Sequence, residues 1–273
     1  MPTSTNINES NISRQSYDPD HFAPLFEAED RHFWFRSRNT IISALTEQIV
    51  APLGEGYRVL EVGCGTGNVL RRLSSVCTGG SVIGMDLFIE GLAFARTRTS
   101  APLVQGDVYH SPFSAEFDMI GLFDVVEHIE DDGRVFNSLY GLLKPGGSLF
   151  VTVPAHMSLW SYFDTASHHC RRYEIPELTE RLAQAGFEIE YVTEFMTALY
   201  PLVWLGRRMA AMIRGDKKIT AEDAHQMSVN ELRIVPLVND LLTWALQGDV
   251  KRIKGRHQLS RGTSILALAR KKT

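Results

Sequence analysis

The sequence predicts an α/β fold: a doubly wound, mostly parallel sheet with helices on both faces. Three observations predict it. Between residues 57 and 195, short apolar runs alternate with amphipathic stretches at helical spacing. The runs are almost continuously apolar, as strands covered on both faces must be. A glycine-rich stretch (Gly63, Gly65, Gly67) follows the first run and opens a helical pattern, and an acid, Asp86, follows the second.

Taken in order, strands are expected at 58–62 (RVLEV), 81–85 (SVIGM), 101–105 (APLVQ), 117–123 (FDMIGLF), 148–153 (SLFVTV) and 188–195 (EIEYVTEF). Helices between them would bury Leu70 and Leu73, then Ile89, Leu92, Ala93 and Ala95, then Val135, Leu139, Leu142 and Leu143, then Leu178, Leu182 and Ala185. Pro176 suits a first helical turn and Gly186 a helix end that needs a positive φ. Lys144-Pro145-Gly146-Gly147 reads as a turn into the fifth strand. The chain thus divides into a polar, disordered leader (1–16), an N-terminal helical cap (17–54), an α/β core (55–195), a helical insertion on the substrate side (196–262) and a final strand (263–273).

The 273 residues are 44% hydrophobic and 22% charged, enough apolar surface for a sizeable core. The net charge of −4 gives no reason to expect nucleic acid. It conceals an asymmetry, about −12 over residues 1–206 and +8 over 207–273. Three cysteines make no disulfide framework and match no zinc spacing, which suits a reducing, cytoplasmic setting. No apolar run reaches the roughly eighteen residues of a membrane span, and the polar N-terminus is no signal peptide.

Four motifs carry chemistry. The glycines of Glu61-Val62-Gly63-Cys64-Gly65-Thr66-Gly67 let the backbone approach a ligand closely. Their spacing is not that of a dinucleotide fingerprint, and Glu61 would repel a pyrophosphate while suiting a cationic ligand. An NAD-dependent dehydrogenase is disfavoured on both counts. Asp86 stands where a carboxylate can accept both ribose hydroxyls, or cap the next helix. Asp107 with Val108 can meet an exocyclic amine such as that of adenine, unless it is a plain Gly-Asp turn. Asp124 and His128 follow the fourth strand, at the topological switch point where open α/β sheets place ligands.

In this order and spacing the motifs VLEVGCGTG, GMD, GDV, FDVVEHIED and LLKPGG resemble the class I S-adenosylmethionine-dependent methyltransferase family over roughly residues 55–195. HFWFRSRN before the core, and the Trp160–Tyr173 stretch after its fifth strand, look like a bacterial small-molecule or lipid-type subgroup. The resemblance implies a Rossmann-like sheet of seven strands, the last antiparallel between the fifth and sixth. It implies S-adenosyl-L-methionine as cofactor, held by Glu61, Gly63, Cys64, Gly65, Gly67, Asp86, Leu87, Asp107, Val108 and Asp124. Trp34 and Arg38 would close over it from the N-terminal cap; the bland alternative is aromatic core packing. Methyl transfer to an oxygen or nitrogen of a small-molecule acceptor is then expected, with a membrane-surface lipid or lipid-linked sugar as the alternative. A non-catalytic cofactor-binding module is the alternative of another class.

Histidine is the usual base near neutral pH, and His128 and His169 are the candidates. Trp160, Tyr162, His168, Tyr173 and Tyr200 are candidates for acceptor binding, although His168 stands where the subgroup has Gly. The alternative for the Trp160–Tyr173 stretch is a loop that merely docks, with Arg171 and Arg172 pairing surface carboxylates. No metal is expected, since no carboxylate or Cys array at ligand spacing accompanies the adjacent histidines. The insertion, apolar with Arg207 and Arg208 beside it, is compatible with core packing, a lid over the substrate, a homodimer contact or peripheral membrane contact.

Overall fold

Residues 17–214 and 230–273 are described by the computed structural model. The expected leader, 1–16, lies outside them. Seven strands form one sheet: β1 (Arg58–Val62), β2 (Ser81–Asp86), β3 (Leu103–Gln105), β4 (Phe117–Phe123), β5 (Leu143–Pro154), β6 (Phe187–Phe195) and β7 (Ser264–Lys271). Their order is β3-β2-β1-β4-β5-β7-β6. Every pairing is parallel except those of β7, which runs antiparallel to both β5 and β6. Strand order reverses between β1 and β4, so their carboxyl ends open the crevice in which such sheets bind ligands.

Alternate strand residues feed two cores. Val59, Met119, Phe150 and Leu268 face one side, while Leu60, Ile120, Leu149 and Ala267 face the other. This is why the strands read as continuous apolar runs. On the first side lie α2 (Phe33–Val50), preceded by the short α1 (Phe22–Ala28), and α3 (Asn68–Val76); α4 (Ile89–Arg98) flanks β2 and β3. Across the sheet lie α5 (Asp132–Leu142) and α7 (Ile175–Gln184), with the five-residue α6 (Tyr162–Ala166) in the loop between them.

Two expectations are corrected. Ile89 and Ala93 are exposed, because α4 buries the face that carries Gly91, Leu92 and Ala95. Lys144–Gly147 is no turn before β5 but a bulge inside it: pairing with β4 jumps from Phe117–Leu143 to Met119–Ser148, with Gly146 at φ 77°.

The insertion contributes α8 (Tyr200–Arg214) and α9 (Pro236–Lys254). Asn239 of α9 accepts from Phe33 N at 2.7 Å and donates to Arg31 O at 3.1 Å, tying α9 to the start of α2. Asp249 accepts from Thr197 N and Oγ1 at 2.7 and 2.6 Å, tying it to the end of β6. Leu237, Leu241 and Trp244 on α9, with Leu202, Leu205 and Met209 on α8, stay exposed. Among the described residues, no helix is long and apolar enough to cross a membrane.

Candidate active site

The turn after β1 needs its glycines. Gly63 and Gly67 have φ of 72° and 76°, and a Cβ on Gly63 would stand 2.4 Å from Val125 Cγ2. Gly65 N donates to Asp86 Oδ2 at 2.7 Å, and Phe88 N donates to Asp86 Oδ1 at 2.8 Å. Asp86 therefore braces two loops as well as facing the crevice. Burial pushes its carboxyl up to about 6 against those backbone donors. Glu61 is also buried, and among the described residues its Oε2 has no partner. Burial holds its carboxyl well above the usual range, opposed by Arg38 and reinforced by Asp86 and Glu29. Two buried acids behind a glycine turn make a poor seat for a pyrophosphate and a good one for a cationic ligand. Cys64 and Gly67 complete the turn; Leu87 is exposed beside Asp86.

At the end of β4, Asp124 adopts φ 55°. Its Oδ2 accepts from Arg38 Nη1 at 2.7 Å and Thr152 Oγ1 at 3.1 Å. The Arg38 guanidinium also lies 4.8 Å from the Trp34 ring centroid. Trp34, Arg38 and Asp124 thus form one contact series from the N-terminal cap to the crevice. Asp107 stays nearer the rim: it accepts from Tyr109 N at 2.9 Å and meets His110 Nδ1 at 3.1 Å, with Val108 half-buried next to it.

The loop after β5 delivers the histidines. His169 Nδ1 lies 2.9 Å from Asp164 Oδ1, which also accepts from Arg172 Nε at 2.7 Å. Burial alone would raise the Asp164 carboxyl, but His169 and Arg172 hold it down to about 2. The His128 and His169 rings meet edge to face, 4.7 Å between centroids. Burial, then the neighbouring His169, pushes His128 well below the usual imidazole range, so it is neutral near pH 7. Glu127 O accepts from Cys170 N at 2.7 Å and draws the two loops together.

Several expectations on substrate residues change. Tyr173 is fully buried and donates to Asp132 Oδ2 at 2.8 Å, so it is a core residue and not an acceptor contact. His168 is exposed at φ 55°, the left-handed backbone that the subgroup's Gly would supply. Arg172 pairs with the buried Asp164 rather than a surface acid, and Arg171 with the buried Asp132 at 2.7 Å. Tyr162 bonds Glu231, Tyr200 lies edge-on to His156 at 5.5 Å, and Trp160 is half-buried at the start of the same loop. Sequence reasoning missed Tyr17, whose ring packs 5.4 Å from His128 and 5.8 Å from Phe88. A tyrosine just outside a helical pattern carries no periodic signal. It also missed Glu127, hidden beside the more conspicuous His128.

The profile of the methyltransferase domain matches residues 33–192, more than half the chain. The chain belongs to the class I S-adenosylmethionine-dependent methyltransferase family. A probable S-adenosylmethionine-dependent methyltransferase of Mycolicibacterium smegmatis is 30% identical over 165 residues, 59% of this chain and 62% of that one. The ubiquinone biosynthesis O-methyltransferase of Thiobacillus denitrificans is 28% identical over 173 residues, covering 60% and 63%. The alignment spans less than two thirds of either relative. Among solved structures, a putative sarcosine dimethylglycine methyltransferase from Galdieria sulphuraria shares the fold (TM-score 0.59, 15% identity, 93% and 98% covered). The antiparallel β7 between β5 and β6 is the sheet order that the family resemblance implied.

Proposed function

We propose that this methyltransferase-family chain binds S-adenosylmethionine between the glycine turn and Asp86 and catalyses methyl transfer to an oxygen or nitrogen of a small-molecule acceptor. The observation that carries this is the buried, partnerless Glu61 oxygen and the Asp86 carboxylate behind a glycine turn. That arrangement suits a cationic adenosyl ligand. When bound, the cofactor supplies an activated methyl group on a sulfonium. The chain's tasks are then to hold the acceptor in line, exclude water and take its proton. Asp86 would hold the ribose, Asp107 and Val108 the adenine, and Arg38 on Asp124 would close the crevice from the cap.

His169 is fixed by Asp164 through Nδ1, which leaves Nε2 as the nitrogen that would accept a proton. His128, neutral and in ring contact with it, is the second candidate. The 28% identical ubiquinone O-methyltransferase supports an oxygen acceptor. The exposed apolar residues of α8 and α9 favour a second reading, in which that acceptor is presented at a membrane surface.

The test is transfer of labelled methyl from S-adenosylmethionine to a panel of hydroxylated aromatic acceptors. Turnover by the wild-type chain, with His169→Ala reduced about 10²–10⁴-fold, is expected. Binding of S-adenosylhomocysteine without transfer to any acceptor would favour the non-catalytic module.

A further inference from the structure

A cluster beside the crevice brings three potential ligand side chains together, and two of their buried atoms have no partner among the described residues. Glu127 is 1% exposed, and its Oε2 has no hydrogen-bond partner among the described residues. His128 Nδ1 is likewise buried without a partner. His169 Nδ1 is occupied by Asp164, which leaves Nε2 free of it. One ligand atom from each of Glu127, His128 and His169 lies within 4.8 Å of the others. An orphaned buried carboxylate oxygen carries an uncompensated desolvation cost, and an orphaned imidazole nitrogen adds to it. Two such groups converging on one point call for a common partner.

We infer that Glu127, His128 and His169 form a binding site for a divalent cation of the zinc, cobalt or manganese kind. Two imidazoles and one carboxylate are the donor set such borderline ions prefer, and three protein ligands leave positions open for water or substrate. The surroundings are those of a metal-bound histidine. The nitrogen of His169 opposite the proposed ion is held by a buried carboxylate, which Arg172 in turn orients at 2.7 Å. The Cys170 N–H on Glu127 O fixes the loop carrying His169 against the one carrying the other two ligands. Sequence spacing conceals the set, since forty residues and a whole strand separate Glu127 and His128 from His169.

The site stands on its own geometry; its use rests on the methyl-transfer reading above. An acceptor hydroxyl at an open position of the ion would lose its proton to solvent near neutral pH, its electron pair staying on oxygen as the nucleophile. The cation would then stand in for the histidine as the means of ionising the acceptor.

The experiment uses tag-free protein stripped with a chelator and titrated with Zn²⁺ by calorimetry, and with Co²⁺ by visible absorption. One equivalent is expected to bind, with cobalt bands of a low-coordinate nitrogen–oxygen site. Glu127→Gln, nearly isosteric, and His169→Ala should each weaken binding at least tenfold. His257→Ala, an exposed histidine elsewhere, should leave it unchanged. S-adenosylhomocysteine affinity, measured on the same samples, should be retained in all of them. Metal binding without S-adenosylhomocysteine binding would leave the cation site standing and sink the cofactor assignment. Equal Zn²⁺ affinity in wild type, Glu127→Gln and His169→Ala, or no binding by the wild type, overturns the cation site.

Discussion

Affinity for S-adenosylhomocysteine should rise as pH increases from 5 to 7, and Asp86 is the reason. Its buried carboxyl titrates at about 6, raised by burial and restrained by the Gly65 and Phe88 amides at 2.7 and 2.8 Å. Ribose hydroxyls donate to the ionised form, so binding favours the deprotonated state. Below 6 the proton must leave before the ligand can bind, and affinity is lost as pH falls through that value. At pH 5, one unit below the titration point, the penalty is about tenfold, ~1.4 kcal/mol. Above pH 7 it vanishes. Asp86→Asn keeps an acceptor for one loop amide but loses the charge. It should weaken binding by roughly 1.5–3 kcal/mol, about ten- to more than a hundredfold, and flatten the pH dependence. Calorimetry in two buffers of different ionisation enthalpy would count the released proton, about half of one at pH 6. A flat wild-type profile between pH 5 and 7, or an Asn variant with the same slope, refutes the assignment of Asp86 to the ribose.

Three further outcomes follow from particular contacts. His168→Gly should stabilise the chain by about 0.5–1 kcal/mol in urea unfolding, since φ 55° strains a side chain there; a destabilised variant would mean the exposed ring does something unseen. Tyr173→Phe should cost about 0.5–1.5 kcal/mol of stability by removing one of three donors to the buried Asp132, which Arg171 and Arg181 still pair, with the acceptor KM unchanged; a steep rise in KM would return Tyr173 to the acceptor site. Asp164, held at about 2, has its folded pKa below the ordinary carboxylate value. It should therefore contribute about 2 kcal/mol of stability that is complete above pH 4 and lost as pH falls toward 2. Asp164→Asn melts would show no such acid-side loss if this holds, and an unchanged loss would contradict it.

Strand positions were legible because burial on both faces leaves an apolar run that few other elements produce. β1 and β4 match their expected bounds residue for residue. The start of β5 was not, because Lys-Pro-Gly-Gly is turn chemistry that here serves a bulge. Ile89 and Ala93 kept helical spacing yet face solvent, since spacing shows that a stripe exists but not how wide a face the neighbours cover. The glycine turn and its buried acids were readable as one unit because they are local: glycines, Glu61 and Asp86 lie within 26 residues on two adjacent strands. The histidine cluster was not. His169 depends on Asp164 and Arg172, and Glu127 meets His169 only across the sheet's carboxyl edge. Tyr173 and His168 show the limit most plainly, because one aromatic went to the core and one ring took a backbone role. Neither choice is written in residue type.

The central claim is that the crevice between β1 and β4 is an adenosyl-cofactor site. A crystal structure of the chain with S-adenosylhomocysteine tests it most directly. The ribose hydroxyls should lie on Asp86, the adenine toward Asp107 and Val108, and the amino-acid end at the glycine turn beside Glu61. A complex with the ligand elsewhere, or with Asp86 bonded only to Gly65 and Phe88, would contradict it.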